Sequence, residues 1–157
     1  MITKAQAISK SRIYITEYDM ECLRAFVTRM LVRDMNGREL RRLQEILDLA
    51  DVVTSSPINI VTLDSVVRLR DLDSCRELVY RLVWPLHADM NHHKVSVLAP
   101  LGMAMLGRRV GDEFEVEAPA GVRSFLVEEL LYQPERWEFS EGQSSLYGRR
   151  ASRSKRA

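Results

Sequence analysis

Apolar residues recur at helical spacing in two consecutive stretches near the start of the chain. The first stretch begins after Thr16 and ends near Arg33, and its apolar residues lie on one face of a helix. The second has the spacing of a seam between packed helices. The apolar positions are Met20, Leu23, Phe26, Val27, Met30 and Leu31, followed by Leu40, Leu43, Leu47 and Ala50. Two amphipathic helices with so short a connection predict an antiparallel helical hairpin over residues 16–50.

Each predicted helix begins at a polar capping pair. Thr16 precedes Asp19 by three residues, so its hydroxyl can accept a hydrogen bond from the Asp19 N–H. Asn36 and Glu39 repeat this spacing at the start of the second helix. Arms of about 14–17 residues reach only ~20–25 Å at about 1.5 Å per residue. The hairpin is therefore predicted to be short.

After the loop residues Ser55-Ser56-Pro57 the pattern changes from helical spacing to alternation. Pro100 cannot donate to a strand ladder, and the apolar segment that follows it predicts a short helix closed by Gly107. The predicted strands cover 67–70, 78–84, 95–97, 113–117 and 122–131. A run of strands interrupted by one short helix indicates an α+β fold, in which an antiparallel sheet wraps that helix.

Composition and charge divide the chain into four predicted parts. These are an N-terminal arm at 1–15, the hairpin at 16–50, the sheet domain at 51–139 and a disordered basic tail at 140–157. The apolar fraction of 46% and charged fraction of 29% are ordinary for a soluble protein. No apolar run approaches the ~18–20 residues of a membrane span, and the first residues lack the apolar region of a secretory signal. A cytoplasmic protein without membrane contact, and a monomer, is expected.

The net charge of +1 hides a basic end, because the last nine residues hold five of the 23 basic residues and no acid. Such a tail can contact nucleic acid through phosphates without sequence selectivity, or it can simply keep the terminus soluble. The tail residues concerned are Arg149, Arg150, Arg153, Lys155 and Arg156.

Candidate chemistry elsewhere is sparse. Cys22 and Cys75 fall in separate predicted elements, which favours reduced thiols over a disulfide. His87, His92 and His93 lack a close cysteine pair, so a polar surface turn is favoured over a zinc site. No catalytic triad, phosphate-binding glycine loop or dinucleotide motif occurs, so neither catalysis nor a cofactor is expected.

The segment around the predicted short helix carries a family resemblance. Ala99-Pro100-Leu101-Gly102, Ala104, Leu106-Gly107 and Val110-Gly111-Asp112 resemble the signature of Gre-type bacterial transcription elongation factors, with Ala99 where many relatives have Ser. The flanking segments 61–65 and 132–135 resemble a short-hairpin branch named regulator of nucleoside diphosphate kinase. The resemblance covers roughly Tyr14 to Glu135.

The resemblance implies a sheet similar to that of FK506-binding proteins and two candidate sites. One is a docking surface for bacterial RNA polymerase near the rim of its secondary channel. Its residues would be Ala99, Pro100, Leu101, Gly102 and Met103. The other is the hairpin tip, where acidic residues of cleavage-stimulating relatives help to hold a magnesium ion. The tip residues here are Asp34, Met35, Asn36, Arg38 and Glu39.

Together these features predict a polymerase-binding regulator that competes with longer-hairpin factors without strong stimulation of transcript cleavage. Glu39 already has a capping role and lies next to Arg38, and the arms are short, so a solvated tip is favoured over a metal-holding one. Two alternatives stay open. The protein could be a cleavage cofactor that delivers metal through Asp34, or a polymerase-independent regulator of nucleoside diphosphate kinase.

Overall fold

A helical hairpin and a five-stranded sheet dominate the computed structural model, which describes residues 12–33, 37–54 and 59–134. The helices are α1 (Glu17–Val32), α2 (Gly37–Leu49) and α3 (Pro100–Met105). The strands are β1 (Tyr14–Thr16), β2 (Asp51–Val53), β3 (Val66–Asp71), β4 (Glu77–Val83), β5 (Lys94–Ser96), β6 (Glu113–Ala118) and β7 (Gly121–Tyr132). Short 3₁₀ turns cover Pro85–His87 and Met90–His92. No helix in these ranges is long and apolar enough to cross a lipid bilayer.

The helical hairpin predicted from the apolar spacing is confirmed. The Thr16 hydroxyl caps α1 by accepting a hydrogen bond from the Asp19 N–H at 3.0 Å. Three of the four predicted seam residues, Leu40, Leu43 and Leu47, are buried in α2, whereas Ala50 follows the end of the helix and is half-buried. The second predicted cap, Asn36, lies outside the described residues.

A two-stranded parallel ribbon closes the base of the hairpin. β1 and β2 pair in register from Tyr14 opposite Asp51 to Thr16 opposite Val53. The Tyr14 N–H also donates to the Gly107 carbonyl at 3.0 Å, next to the end of α3. Residues 14 and 15 of the predicted arm are therefore part of the folded structure.

The main sheet has the strand order β5-β4-β3-β7-β6 and confirms the predicted α+β layout. It is mixed rather than wholly antiparallel, because β5 runs parallel to β4. The alternation in sequence predicts that a strand exists but not its direction. Here the two 3₁₀ turns fold the chain back beside the last residues of β4, so β5 enters in the same direction.

One hydrophobic core joins the hairpin, α3 and the inner face of the sheet. Val67 and Leu69 on β3 are fully buried, whereas Arg68 and Arg70 point outward. These two arginines form ion pairs with Glu128 and Glu129 of β7. The outer face of β3 and β7 therefore carries paired charges, and the core lies between the inner face of the sheet and the helices.

Candidate docking site

The short helix α3 is held against the end of β5 by a glycine. A Cβ atom added to Gly102 would lie 1.9 Å from the backbone oxygen of Ser96, so the two backbone segments leave no room for any side chain. Pro100 occupies the first turn of α3, where its fixed φ suits a helix start and its missing N–H is not needed. These local constraints fix where α3 begins and how closely it approaches β5.

The predicted docking residues divide into an exposed and a buried group. Pro100 is exposed, and Ala99 and Leu101 are half-buried. Gly102 and Met103 are buried, Met103 with only 5% of its surface accessible. The burial of these two follows from the close approach of α3 to β5, so they support the surface formed by the other three. Docking itself stays a prediction.

A groove of about 380 Å³ lies beside the exposed start of α3. α3 contributes Pro100, Met103 and Ala104 to its lining. The opposite sides come from the hairpin helix α2 and from strands β6 and β7. Their lining residues are Arg42, Ile46, Glu115, Val116, Glu117 and Val122. The surface next to Pro100 is therefore built jointly by the hairpin and the sheet domain.

A second depression of about 590 Å³ lies nearer the hairpin tip. It is lined by Gly37, Arg38, Arg41, Arg42, Glu45 and Glu117, so it shares Arg42 and Glu117 with the groove. Of the predicted tip residues, Arg38 lines this depression and Glu39 is exposed on α2. Asp34, Met35 and Asn36 lie outside the described residues.

Arg108 makes contacts with both α3 and β6. Its Nε donates to the Ala104 carbonyl at 3.0 Å, and its guanidinium lies 6.0 Å from the centre of the Phe114 ring. Burial lowers the pKa of Arg108, although the nearby Asp112 carboxylate acts in the opposite direction. The Arg108 side chain therefore contacts both α3 and β6.

The hairpin is anchored to the sheet domain by two further contacts. The Asp19 carboxylate accepts a hydrogen bond from the Leu63 N–H at 3.1 Å, and both residues are buried. The Phe26 ring on α1 packs against Trp84 with the ring centres 5.3 Å apart. Both contacts are made by α1, and they join the hairpin to the segment before β3 and to the residue after β4.

No cluster of three or more metal-ligating side chains occurs in the described ranges. His92 shares a hydrogen bond of 2.6 Å with the Asp89 carboxylate, and this contact lowers the pKa of Asp89. Cys22 in α1 and Cys75 in the β3–β4 turn are not joined by a disulfide. The five predicted tail residues and the whole segment 135–157 lie outside the described residues.

Sequence reasoning missed the residues that face α3 across the groove. The alternation of Glu113–Glu117 predicts a strand, but not which helix lies beside its acidic side chains. Arg42 lies off the apolar seam of the second helix, so the sequence pattern predicts only that it is on the surface. The neighbourhood of Arg42, Glu117 and Pro100 depends on contacts between distant segments, and no local pattern in the sequence carries it.

Comparisons with known proteins agree with this architecture. Residues 56–132 match the family described as "Transcription elongation factor, GreA/GreB, C-term". A solved structure, the prokaryotic transcription elongation factor GreA/GreB from Nitrosomonas europaea, is 34% identical and superposes with a TM-score of 0.63. That match covers 77% of this chain and 100% of the other.

Two curated relatives match over shorter stretches. The transcription elongation factor GreA of Thermotoga neapolitana is 38% identical over 95 residues, which is 60% of this chain and 61% of that protein. The regulator of nucleoside diphosphate kinase of Escherichia coli is 44% identical over 80 residues, which is 50% of this chain and 59% of that protein. The chain thus spans about three fifths of the length of these relatives.

A helical hairpin joined to an α+β sheet domain, with this signature around α3, defines the class of Gre-type factors. The chain belongs to the GreA/GreB family of transcription elongation factors. Within that family it is similar to the branch whose members carry the name regulator of nucleoside diphosphate kinase.

Proposed function

We propose that this protein binds bacterial RNA polymerase and regulates elongation by occupying a position near the secondary channel. The observation that carries the proposal is the start of α3, where Pro100 is exposed and lines a groove that also contains apolar side chains. Rigid, partly apolar surface next to a groove suits the reception of a partner helix. The names of the relatives, transcription elongation factors, support the same function.

Occupancy rather than chemistry is the proposed mode of action. α1 has 16 residues and α2 has 13, so the described arms extend only about 20–24 Å at about 1.5 Å per residue. A hairpin of this length can fill the mouth of a channel while leaving its far end unreached. We therefore propose competition with longer-hairpin Gre-type factors, without enzymatic activity and without strong stimulation of transcript cleavage.

The remaining parts of the chain have subordinate roles in the proposal. In the proposal the protein is a cytoplasmic monomer, in which the sheet domain at 51–139 docks and the hairpin at 16–50 occupies the mouth of the secondary channel. The basic tail, Arg149, Arg150, Arg153, Lys155 and Arg156, supplies a salt-dependent contact to nucleic acid phosphates.

The test combines binding and cleavage in one preparation. Purified bacterial RNA polymerase is assembled into backtracked elongation complexes, and this protein is added alone or with a longer-hairpin Gre factor. The proposal requires binding, inhibition of the longer factor and little cleavage by this protein alone. Asp34-dependent cleavage would instead identify a metal-delivering cofactor.

A second candidate function comes from the relative named regulator of nucleoside diphosphate kinase. A regulator that acts on the kinase itself would bind or inhibit purified nucleoside diphosphate kinase without polymerase. The same protein preparation, tested against the kinase, distinguishes this function from polymerase binding.

A further inference from the structure

The depression nearer the hairpin tip is lined by charges of both signs. Its basic lining consists of Arg38, Arg41 and Arg42 of α2, and its acidic lining consists of Glu45 of α2 and Glu117 of β6. Its volume of about 590 Å³ is within the range of about 300–1,000 Å³ that is typical of small-molecule sites. The depression therefore has the size of a small-molecule site, and its charged lining suits a highly charged ligand.

The three arginines lack a counter-ion. Within residues 12–33, 37–54 and 59–134 none of them forms an ion pair, whereas Arg24 of α1 pairs with Asp48. Arg38 precedes the other two by three and four residues, so the three side chains lie on one side of the helix. Like charges at these spacings destabilise a helix, and a bound polyanion would remove the repulsion.

Arg41 turns back toward the first turn of α2, where Arg38 is located. The Arg41 Nε lies 3.9 Å from the position that a Cβ atom on Gly37 would occupy, and Gly37 also lines the depression. A guanidinium group presents N–H donors in a planar fork that matches the oxygens of a phosphate group. Several such groups around one depression therefore suit a ligand with several phosphates.

The two carboxylates of the lining determine what else the ligand must carry. Glu45 and Glu117 are both exposed. An ionised carboxylate accepts hydrogen bonds and donates none, so the ligand must present hydroxyl or amino groups besides its phosphates. Ribose hydroxyls and the amino groups of nucleobases are donors of this kind. A nucleoside polyphosphate combines them with a phosphate chain in one small molecule.

A free nucleotide fits this arrangement better than a nucleic acid strand. Residues 38–42 span only about 6 Å along the helix axis, at about 1.5 Å per residue. A strand carries one phosphate charge per nucleotide, whereas a nucleoside triphosphate has three phosphate groups in direct succession. A strand that continued beyond the arginines would also bring further phosphates toward Glu45 and Glu117.

We propose that this depression binds a nucleoside polyphosphate. Its phosphates contact Arg38, Arg41 and Arg42, and its ribose or base donates hydrogen bonds to Glu45 and Glu117. The site does not depend on polymerase binding, because this chain alone supplies every contact. Since the lining comes from both α2 and β6, the bound nucleotide joins the hairpin to the sheet domain.

Isothermal titration calorimetry of the full chain with ATP, GTP and inorganic tripolyphosphate tests the arginines. We expect saturable binding of both nucleotides, weakened about tenfold or more by Arg38→Ala, Arg41→Ala or Arg42→Ala. Arg29→Ala is the matched control, because Arg29 is an exposed arginine of α1 outside the lining. This control should change the affinity by less than about twofold. Circular dichroism confirms that each variant is folded.

Glu117→Ala separates recognition of the nucleoside from recognition of the phosphates. The substitution should weaken binding of ATP and GTP, because it removes an acceptor for the ribose or base. It should not weaken binding of tripolyphosphate, which has neither. Glu113→Ala is the control, on the same strand but outside the lining. Equal nucleotide affinity of these two variants would overturn the role of Glu117.

Three results would overturn the nucleotide site itself. The first is the absence of saturable ATP or GTP binding at millimolar concentration. The second is unchanged nucleotide affinity when Arg38, Arg41 and Arg42 are all replaced by Ala. The third is a short single-stranded RNA that binds the same arginines more tightly than either nucleotide, which would show that the site takes a strand. Affinity for RNA polymerase is measured separately, so none of these results decides the proposed function.

Discussion

The Asp19 carboxylate in the first turn of α1 accepts a hydrogen bond from the Leu63 N–H, which lies just ahead of β3. Asp19 has 2% of its surface accessible, and Leu63 has 2%. The sequence distance between them is large, so this bond ties the hairpin to the sheet domain. The position of the hairpin relative to the sheet domain depends in part on this attachment.

Replacing Asp19 by Ala should destabilise the fold. The substitution leaves the buried Leu63 N–H without this acceptor, which costs about 1–3 kcal/mol. The free energy of unfolding from urea titration measures the loss. Glu17→Ala is the control, because Glu17 is an exposed acid in the same turn of α1. Equal effects of the two substitutions would contradict the anchoring role of Asp19.

Replacing Gly102 by Ala should also be costly, for a steric reason. The new methyl group would clash with the Ser96 carbonyl, and backbone atoms on both sides must move. Overpacking of this kind costs about 1–3 kcal/mol or more. Chemical denaturation of the variant measures this cost.

Gly37→Ala serves as the control for the glycine prediction. A Cβ there meets only the Arg41 Nε at 3.9 Å, so a near-neutral or slightly stabilising effect is expected. If the Gly102→Ala protein were as stable as the Gly37→Ala protein, the close contact between α3 at position 102 and the Ser96 backbone would be contradicted.

The surroundings of the Asp71 carboxylate predict that the fold becomes less stable in acid. It is buried on β3, and burial by itself would raise its pKa. The Ser74 and Asp73 backbone N–H groups donate to its carboxylate at 3.2 and 2.9 Å, and Arg123 pairs with it. These interactions prevail, so the pKa of Asp71 is lowered.

The sign of the pH effect follows from that direction. A carboxylate whose folded-state pKa lies below its unfolded value stabilises the fold above the unfolded pKa. The stabilisation is lost as pH falls through the folded pKa. The melting temperature of the unmodified protein should therefore fall on acidification below about pH 4. In Asp71→Asn, the melting temperature should depend less on pH in this range. An identical acid profile in the variant would contradict the role of Asp71.

Local patterns predicted the hairpin well. Thr16 caps its helix and Leu43 lies in the buried seam because both features depend on residues three or four positions away. The same patterns could not show that the Asp19 carboxylate reaches Leu63, since that bond requires the packed domain. Nor could they show that Arg42 and Glu117 line the same groove, or that Gly102 packs against the backbone of Ser96. The groove is a property of tertiary structure, and of its lining residues the family resemblance indicated only Pro100 and Met103.

Binding of Pro100→Arg to purified RNA polymerase tests the central claim most directly. The added bulk and charge stand at the exposed start of α3, so affinity should fall about tenfold or more relative to the unmodified protein. Pro85→Arg is the matched control, because Pro85 also begins a short helical turn but lies away from the groove lining. Loss of affinity in Pro100→Arg alone is the predicted result. Unchanged affinity of Pro100→Arg, with the unmodified protein binding normally, would contradict docking through α3.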